Sequence, residues 1–274
     1  MKLLQKPHPK DGAYEILPSE AQKILEGQGR NRPLSEWWAA TLAEDISSNE
    51  YELNGEPIIF DERENLLDGQ HRLRACVIAN KPLRTYVTYG VPRKVFETLD
   101  QGRKRTAGDA ETIAGTHNAR NVAAVAALVI KHDMLGDQFG NVPIRRVIPP
   151  YQVRKLVRKH KASLEDVVTT VVAYGSKLGK SLPASAVGFV YYRAVEKDRS
   201  RAGKWLHSLA TMEGLTGKSA ILLLRRRLTK SLETGDKIDA AERLALLAKT
   251  WLAFYGDKPT EVLRWARGEK FPAI

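Results

Sequence analysis

Hydrophobic and polar positions follow a short, strand-like pattern in the first third of the chain. The apolar runs "EPIIF" and "NLL" stand on either side of the polar "DERE", which predicts a β-hairpin of residues 57–60 and 65–67. A short helix at about 70–80 and a strand in the β-branched and aromatic "RTYVTYGV" follow. Upstream, "PSEAQKILEG" and "SEWWAATLAEDI" have helical spacing, with Ser19 and Ser35 as expected N-caps. This mixture predicts a compact α+β unit.

From Thr106 onward the strand pattern fades and apolar residues recur at helical spacing. Seven segments between Thr106 and residue 256 have this spacing, and Gly, Pro, Asn, Asp or Ser separate them. The predicted fold class is therefore α+β, with a small α+β domain at 1–112 and an all-α helical domain at 113–274. The longest expected loop is 135–150. Aromatic residues such as Trp205 and Trp251 fall at helical spacing among Leu and Ala, which favours core positions over base-stacking platforms.

Composition narrows the class of protein. The chain has 274 residues, of which 43% are hydrophobic, enough for one large domain or two modest ones. Its apolar runs are shorter than the roughly 20 residues that span a bilayer, and the N-terminal segment lacks the apolar core of a signal peptide. Cys76 is the single cysteine, so a disulfide within the chain and a multi-cysteine metal site are excluded. We expect a cytoplasmic protein with no membrane partner.

The positive charge lies in the second half of the chain. The net charge is −2 over residues 1–115 and +14 over residues 116–274. Such an imbalance favours a polyanion partner, DNA above all, although high solubility alone is the other explanation. Two basic segments are the predicted DNA contacts, and the alternative for both is a solvated helix face. Their residues are Arg154, Lys155, Arg158 and Lys159 in the first and Arg225, Arg226 and Arg227 in the second.

The segment "LLDGQHRLRA" places a turn where a buried strand gives way to a helix. Gly69 lets the backbone approach a ligand closely, and the N–H groups of a first helical turn bind anions. Arg72 can grip a phosphate in a bidentate fork, and His71 can donate to phosphate or shuttle a proton. Asp68 is a candidate base, Mg²⁺ ligand or helix cap. From the residues alone, a common Asp-Gly turn with solvated arginines explains the segment equally well.

"DGQHRLRA" and its flanks resemble the ParB/sulfiredoxin superfamily, and are most similar to the "DGQHR" proteins of phages and prophages. "RNRPLS" (30–35), "NGEPIIFDERENLLDGQHRL" and "VFETLDQGRKRTAGD" (95–109) resemble three successive boxes of these proteins, and the C-terminal segment is also similar. The resemblance implies a nucleoside triphosphate, ATP or CTP, bound with Mg²⁺ in the cytosol of a bacterium or of a phage-infected host. Gly69, Gln70, His71 and Arg72 would form the phosphate cradle.

Two departures limit what the resemblance implies. Gln70 stands where sulfiredoxins carry their catalytic cysteine, so repair of sulfinic acids is not expected. His71 and Arg72 stand where ParB proteins have two arginines, so a preference for CTP cannot be carried over.

A second polar cluster, "LDQGRKRTAGD", contains further candidate ligands. By the resemblance, Arg103 and Arg105 would clamp phosphate and Asp100 would neighbour the metal. Arg30 and Arg32, in the loop before the tryptophan helix, could complete the pocket, and a solvated loop is an equal alternative for them. A charged linker with Thr106 as the next helix cap is the alternative for the cluster.

Three functions follow from these features. The leading hypothesis is a phage or mobile-element protein that binds a nucleoside triphosphate and DNA, with hydrolysis of the nucleotide left open. The second is a DNA-directed enzyme, either a nuclease or a kinase of a modified base, with Asp68 and His71 as catalytic groups. The third is a non-enzymatic DNA-binding regulator. A homodimer is a further candidate assembly under each of them.

Overall fold

The computed structural model describes residues 8–27, 33–94, 106–142 and 148–274. The chain forms two compact units, Met1–Arg103 and Lys104–Ile274. The described part of the first unit mixes strands and helices, whereas the described part of the second contains helices and connecting segments. The predicted α+β fold class is therefore confirmed. The boundary predicted at residue 112 lies near the end of a helix, Ala107–Ile113, that is grouped with the second unit.

A four-stranded mixed sheet forms the centre of the first unit. Its elements are β1 (Gly12–Ile16), α1 (Pro18–Glu26), α2 (Glu36–Ser47), β2 (Pro57–Asp61), β3 (Leu66–Asp68), α3 (Gln70–Ala79) and β4 (Leu83–Val91). The strand order is β1-β4-β2-β3. Strand β4 runs antiparallel to β1 and parallel to β2, and β2 pairs antiparallel with β3. The predicted hairpin, the helix after it and the strand at 84–91 are all confirmed.

Helix α3 packs its buried face against the sheet. Leu73 and Cys76 of the helix are fully buried and share one hydrophobic cluster with Ile58, Leu83 and Val87 of the strands. Burial of these side chains is the main stabilising contribution available to so small a sheet. The same packing fixes the start of α3, and with it the position of the Asp68-Gly69 turn that directly precedes the helix.

The two predicted N-caps differ in outcome. Ser35 caps α2, since its Oγ accepts a hydrogen bond from Trp38 N at 3.3 Å. The prediction for Ser19 was wrong because α1 already begins at Pro18, a residue suited to the first helical position. There, the Glu20 carboxylate accepts from Leu17 N at 2.8 Å.

The second unit is a helical assembly within its described ranges. Its helices are α4 (Ala107–Ile113), α5 (Ala119–Leu135), α6 (Pro150–Ala173), α7 (Gly175–Leu178), α8 (Ala184–Lys197), α9 (Arg199–Thr211), α10 (Ala220–Thr234) and α11 (Ala240–Tyr255). The backbone of α6 departs from helical geometry at His160. Asp198 separates α8 from α9, and its carboxylate accepts from Arg201 N at 2.9 Å. The stretch 186–212, one of the seven segments predicted from helical spacing, is therefore two helices.

Aromatic side chains form much of the second core, as their spacing predicts. Trp205 and Trp251 are fully buried, and Tyr191, Tyr192 and Trp265 are nearly so. Their burial makes them core residues and leaves little ring surface for stacking on bases. In the described ranges we find no helix with the length and apolar character needed to cross a bilayer.

His132 lies in an aromatic cluster of the second unit and gives the fold a pH dependence. Its ring centroid is 5.4 to 5.8 Å from those of Phe139, Phe189 and Phe271. Burial, aided by the nearby Arg193 charge, lowers the pKa of His132 below its usual 6.5. The unfolded chain therefore binds a proton more readily than the folded chain, so stability is lost as the pH falls from 6.5 towards the folded-state pKa.

We expect the unfolding temperature to fall between pH 7 and pH 5, and His132→Phe to reduce that pH dependence. Thermal unfolding followed by circular dichroism at each pH measures the slope. His117→Gln, at an exposed histidine, is the matched control. Equal slopes in the wild type and His132→Phe would contradict this role for His132.

Candidate phosphate site and basic surfaces

The turn after β3 requires glycine. Gly69 has a φ of +107° and directly precedes α3, a backbone conformation that side chains with a Cβ rarely adopt. A Cβ on Gly69 would lie 2.3 Å from Cδ1 of Ile58, a full overlap in the core. The glycine therefore lets the chain turn sharply into α3 while the hairpin stays packed.

The first turns of α2 and α3 meet beside this turn. Ser35 N, at the start of α2, donates to Nε2 of His71, in the first turn of α3, at 3.0 Å. Helix N-termini carry partial positive charge from their aligned peptide dipoles. Two such ends at one place form a stronger anion-attracting environment than either end alone.

Arg72 is directed into the protein instead of towards a ligand. Its Nη2 donates to the carbonyl of Pro57 at 2.8 Å and to Oδ2 of Asp68 at 3.0 Å, and its Nη1 donates to the carbonyl of Glu56. Only 11% of the side chain is exposed. The fixed fork of the guanidinium matches these three acceptors. Arg72 therefore links the backbone at the start of β2 to the turn. This structural role differs from the phosphate grip predicted from the sequence.

The neighbours of Arg72 are also engaged within the protein. Gln70 is 3% exposed, so its side chain faces the interior. Asp68 ends β3 and forms an ion pair with Arg72. The N-cap position of α3, which the sequence allowed for Asp68, is occupied by Gly69. Of the side chains predicted for the cradle in this turn, those of Gln70 and Arg72 are buried and that of His71 is half-buried.

His71 is oriented by its bond to the backbone of Ser35. Because Nε2 accepts a hydrogen bond, the neutral ring carries its proton on Nδ1. A proton placed on Nε2 would remove the acceptor of that bond. His71 is thus a positioning group that joins the start of α2 to the start of α3.

Several predicted ligands lie outside the described residues. These are Arg32, Arg103, Arg105 and Asp100. Across the described ranges, no three His, Cys, Asp or Glu side chains are grouped so that they could hold a metal ion. The predicted Mg²⁺ ligand and the two phosphate clamps of the second polar cluster therefore stay predictions.

Burial of Cys76 makes its thiol a poor nucleophile. It is fully buried on α3, with Sγ 3.1 Å from the carbonyl oxygen of Lys81. Burial raises the pKa of the thiol to about 11, so the nucleophilic thiolate is scarce at neutral pH.

The basic segment of α6 forms an amphipathic helix. Lys155, Arg158 and Lys159 are exposed, while Val153 and Val157 are buried in the second core. Arg154, the fourth residue predicted here, is half-buried. The spacing of 155, 158 and 159 places three cationic side chains on one helix face.

The basic segment of α10 is largely used for internal contacts. Arg225 donates to the carbonyls of Leu178, Lys177 and Leu209 at 3.0, 3.2 and 2.6 Å, and burial lowers the pKa of its guanidinium. Since Arg225 satisfies the carbonyls at the ends of α7 and α9, it is a structural residue.

The other two arginines of this segment differ from each other. Arg227 pairs with Asp236 at 3.5 Å and with Glu242 at 3.3 Å. Arg226 is exposed, with no partner in the described part of the chain. Within the predicted trio, Arg226 thus has the side chain most available to a nucleic acid.

Comparison with known proteins finds no match to this chain among family models, curated proteins or solved structures.

Proposed function

We propose that this chain is a DNA-associated protein that binds a nucleoside triphosphate with Mg²⁺ at the Gly69 turn. The observation that carries the nucleotide half is the meeting of two helix N-termini at the bond between Ser35 and His71. Phosphate binds well at such positions because backbone N–H groups and helix dipoles favour negative charge.

The local ion pairs define which groups attract phosphate. Asp68 is neutralised by Arg72, and Glu36 lies 3.2 Å from Arg74. Each of these two carboxylates therefore has a cationic partner, and neither adds an uncompensated negative charge beside the N-termini of α2 and α3. In this proposal Arg32, Arg103 and Arg105 supply positive charge to the phosphates, and Asp100 supplies an oxygen ligand to Mg²⁺.

The DNA half of the proposal rests on α6. Its three exposed cations, Lys155, Arg158 and Lys159, are backed by buried valines, so the helix presents a stable basic face. Contacts of this kind bind phosphates without reading sequence, and their strength falls steeply with salt.

The resemblance to ParB/sulfiredoxin-type proteins of phages supports the same proposal. The matching motif falls at a turn between a strand and a helix, where backbone and helix dipole act together on an anion. The proposed location is the cytosol of a bacterium or of a phage-infected host, where both ligands occur.

The second candidate, a DNA-binding regulator without enzymatic activity, is favoured by the contacts of Asp68 and His71. Asp68 is held by Arg72, and Nε2 of His71 is occupied by Ser35 N. Neither group is poised as a general base, which requires an available lone pair near the substrate. The same contacts weigh against a nuclease or a phosphotransferase built on these two residues.

Nucleotide binding and hydrolysis separate the two candidates. We expect Mg·ATP or Mg·CTP to raise the unfolding temperature in a concentration-dependent way, since a ligand of the folded state stabilises it. Phosphate release, measured with and without DNA, reports turnover. Stabilisation by a triphosphate supports the first candidate, whereas DNA binding without any nucleotide effect supports the regulator.

DNA binding is tested on α6. The triple variant Lys155→Gln, Arg158→Gln, Lys159→Gln is expected to bind duplex DNA at least about tenfold more weakly, because each lost phosphate contact lowers the affinity. The slope of log affinity against log salt should become shallower by up to about 3.

The matched control removes the same charge elsewhere in the second unit. The exposed lysines 204, 230 and 237 lie on other helices or loops, and their triple change to Gln lowers the net charge equally. Affinity that falls equally in both triples would show that net charge alone matters, and would remove α6 as the DNA surface.

A further inference from the structure

Three polar side chains of the second unit, Tyr174, His207 and Glu213, are joined by hydrogen bonds. Nε2 of His207 lies 2.9 Å from Oε2 of Glu213, and Nδ1 of His207 lies 3.2 Å from the hydroxyl oxygen of Tyr174. Because an ionised carboxylate can only accept, Nε2 carries the proton, and Nδ1 of the neutral ring accepts from the Tyr174 hydroxyl. We call these three residues the Tyr174 relay.

The Tyr174 relay allows a proton to pass from Tyr174 to His207. When Nδ1 takes the phenol proton, it becomes the donor to the phenolate oxygen, so the contact with Tyr174 is kept. The bond to Glu213 is also kept, and its carboxylate stabilises the positive charge on the ring. A nucleophile, a histidine base and a carboxylate that orients the base are the three parts of an activated nucleophile. The Tyr174 oxygen can therefore lose its proton as it attacks.

The turn after α9 holds the carboxylate of the relay in place. Thr211 Oγ1 donates to the carbonyl of His207 at 2.9 Å and accepts from Glu213 N at 3.2 Å. Met212, between Thr211 and Glu213, has a φ of +67°, which non-glycine residues adopt rarely. These features turn the chain back so that Glu213 meets the ring of His207.

Arg225 joins the two segments that carry Tyr174 and His207. Its Nη2 donates at 3.2 Å to the carbonyl of Lys177, in the helix α7 that directly follows Tyr174. The same Nη2 donates at 2.6 Å to the carbonyl of Leu209, two residues after His207 on α9. A nucleophile and its base must be held within hydrogen-bond reach for efficient transfer. The backbone contacts of Arg225 help to meet that requirement.

The surroundings of the relay favour a nucleic-acid substrate. The side chains of His207 and Glu213 are 46% and 72% exposed, so the relay lies on an open surface. Small molecules usually bind in concave pockets that cover most of their surface, whereas a polymer can be held by contacts on either side of the reacting bond. Lys177 is exposed three residues after Tyr174, and residues 116–274 carry a net charge of +14. Such charge attracts the phosphodiester backbone of DNA.

We propose that Tyr174 is the nucleophile of a phosphodiester transesterification on DNA. Its oxygen forms a bond to phosphorus, the bond from phosphorus to one sugar oxygen breaks, and Nδ1 of His207 passes the phenol proton to that leaving oxygen. The product is a tyrosyl phosphodiester, and the reverse reaction rejoins the strand, so no further reactant is consumed. Glu213 is a positioning residue. The site is separate from the Gly69 turn, and its substrate rests on the DNA half of the proposed function.

The reactivity of Tyr174 is tested first, on the whole chain without DNA or nucleotide. Diisopropyl fluorophosphate offers a phosphorus atom with a fluoride leaving group, and mass spectrometry of peptides gives a labelling rate for each tyrosine. We expect Tyr174, although half-buried, to be labelled at least about tenfold faster than Tyr86, which is 44% exposed on β4. Equal rates at the two tyrosines would overturn the proposal.

Variants then assign the reactivity to the relay. His207→Gln is expected to slow labelling of Tyr174 at least about tenfold, and Glu213→Gln to slow it less, with the rate at Tyr86 unchanged in both. His117→Gln, at an exposed histidine of the same unit, is the control that should change neither rate. An unchanged Tyr174 rate in folded His207→Gln would refute the role of the relay. The comparison of tyrosines within the wild type decides the matter even if a variant fails to fold.

The substrate is tested with supercoiled plasmid. After denaturation with detergent, we expect plasmid covalently joined to the wild-type chain and none joined to Tyr174→Phe, although the two proteins bind the plasmid equally. Binding without any covalent product in the wild type would overturn the assignment of DNA as substrate. A chain that binds no DNA would contradict the DNA half of the proposed function and this substrate with it, while the labelling rates would still show whether Tyr174 is an activated nucleophile.

Discussion

Replacing Gly69 with alanine is expected to lower the free energy of unfolding of the first unit by about 2–4 kcal/mol. The positive φ costs an L-residue about 1–3 kcal/mol, and the added Cβ overlaps Ile58 Cδ1, which forces the core to shift. Urea unfolding monitored by circular dichroism measures the change. Because Ile58 belongs to the core that holds α3 to the sheet, the loss should be cooperative across the first unit.

Gly55→Ala is the matched control for this result. Gly55 precedes the same strand, its φ is not positive, and a Cβ there would meet nothing within 4 Å. We expect a change of no more than about 0.5 kcal/mol, with a slight gain allowed by the reduced entropy of the unfolded chain. Equal stability of the two variants would show that the turn can relax and that Gly69 is not required by its conformation.

Replacing Arg72 with methionine is expected to destabilise the first unit by about 3–5 kcal/mol. The change removes bonds to two backbone carbonyls and leaves Asp68 without its charged partner in a largely buried place. Arg72→Lys should recover little of the loss, since a single ammonium cannot reach all three acceptors in the geometry of the fork. Chemical denaturation measures both variants.

Arg74→Met provides the comparison for Arg72. Arg74 lies on the same helix and forms one partly exposed ion pair with Glu36, a class worth at most about 1 kcal/mol. A stable Arg72→Met variant with weakened nucleotide binding would contradict the structural role and restore the phosphate grip predicted from the sequence.

Local pattern was sufficient to predict much of the fold. The hairpin, α3 and β4 were predictable because alternation, turn residues and β-branched content act over a few neighbouring positions. The strand β1 was missed since "GAYEI" is short and only Ile16 of it is buried, so it has little alternation to detect. The break at Asp198 was also missed, because a capping Asp between two helices resembles an ordinary polar position.

The direction of charged side chains could not be predicted from the sequence. Arg72 and Arg225 each stand in a basic segment, and residue type suggested phosphate ligands for both. Their actual acceptors are carbonyls 15 to 16 and 16 to 48 residues away along the chain, which only the folded backbone brings within reach. The buried Gln70 is a similar case, since helix phase relative to the sheet decides which way it faces.

One signal for the internal role of Arg72 was present in the sequence. Asp68 and Arg72 are four residues apart across the start of a helix, a spacing at which opposite charges commonly pair. The contact between Ser35 and His71, which joins α2 to α3, had no comparable signal because 36 residues separate them.

The central claim, that phosphate binds where α2 and α3 begin, is tested most directly by amide NMR of the ¹⁵N-labelled chain. Titration with Mg·ATP and with Mg·CTP reports each backbone N–H separately. We predict saturable shifts at the amides of Ser35, Gln70 and His71, with those of α6 unchanged until DNA is added. Amides at the starts of α2 and α3 that stay fixed at millimolar nucleotide would contradict the claim.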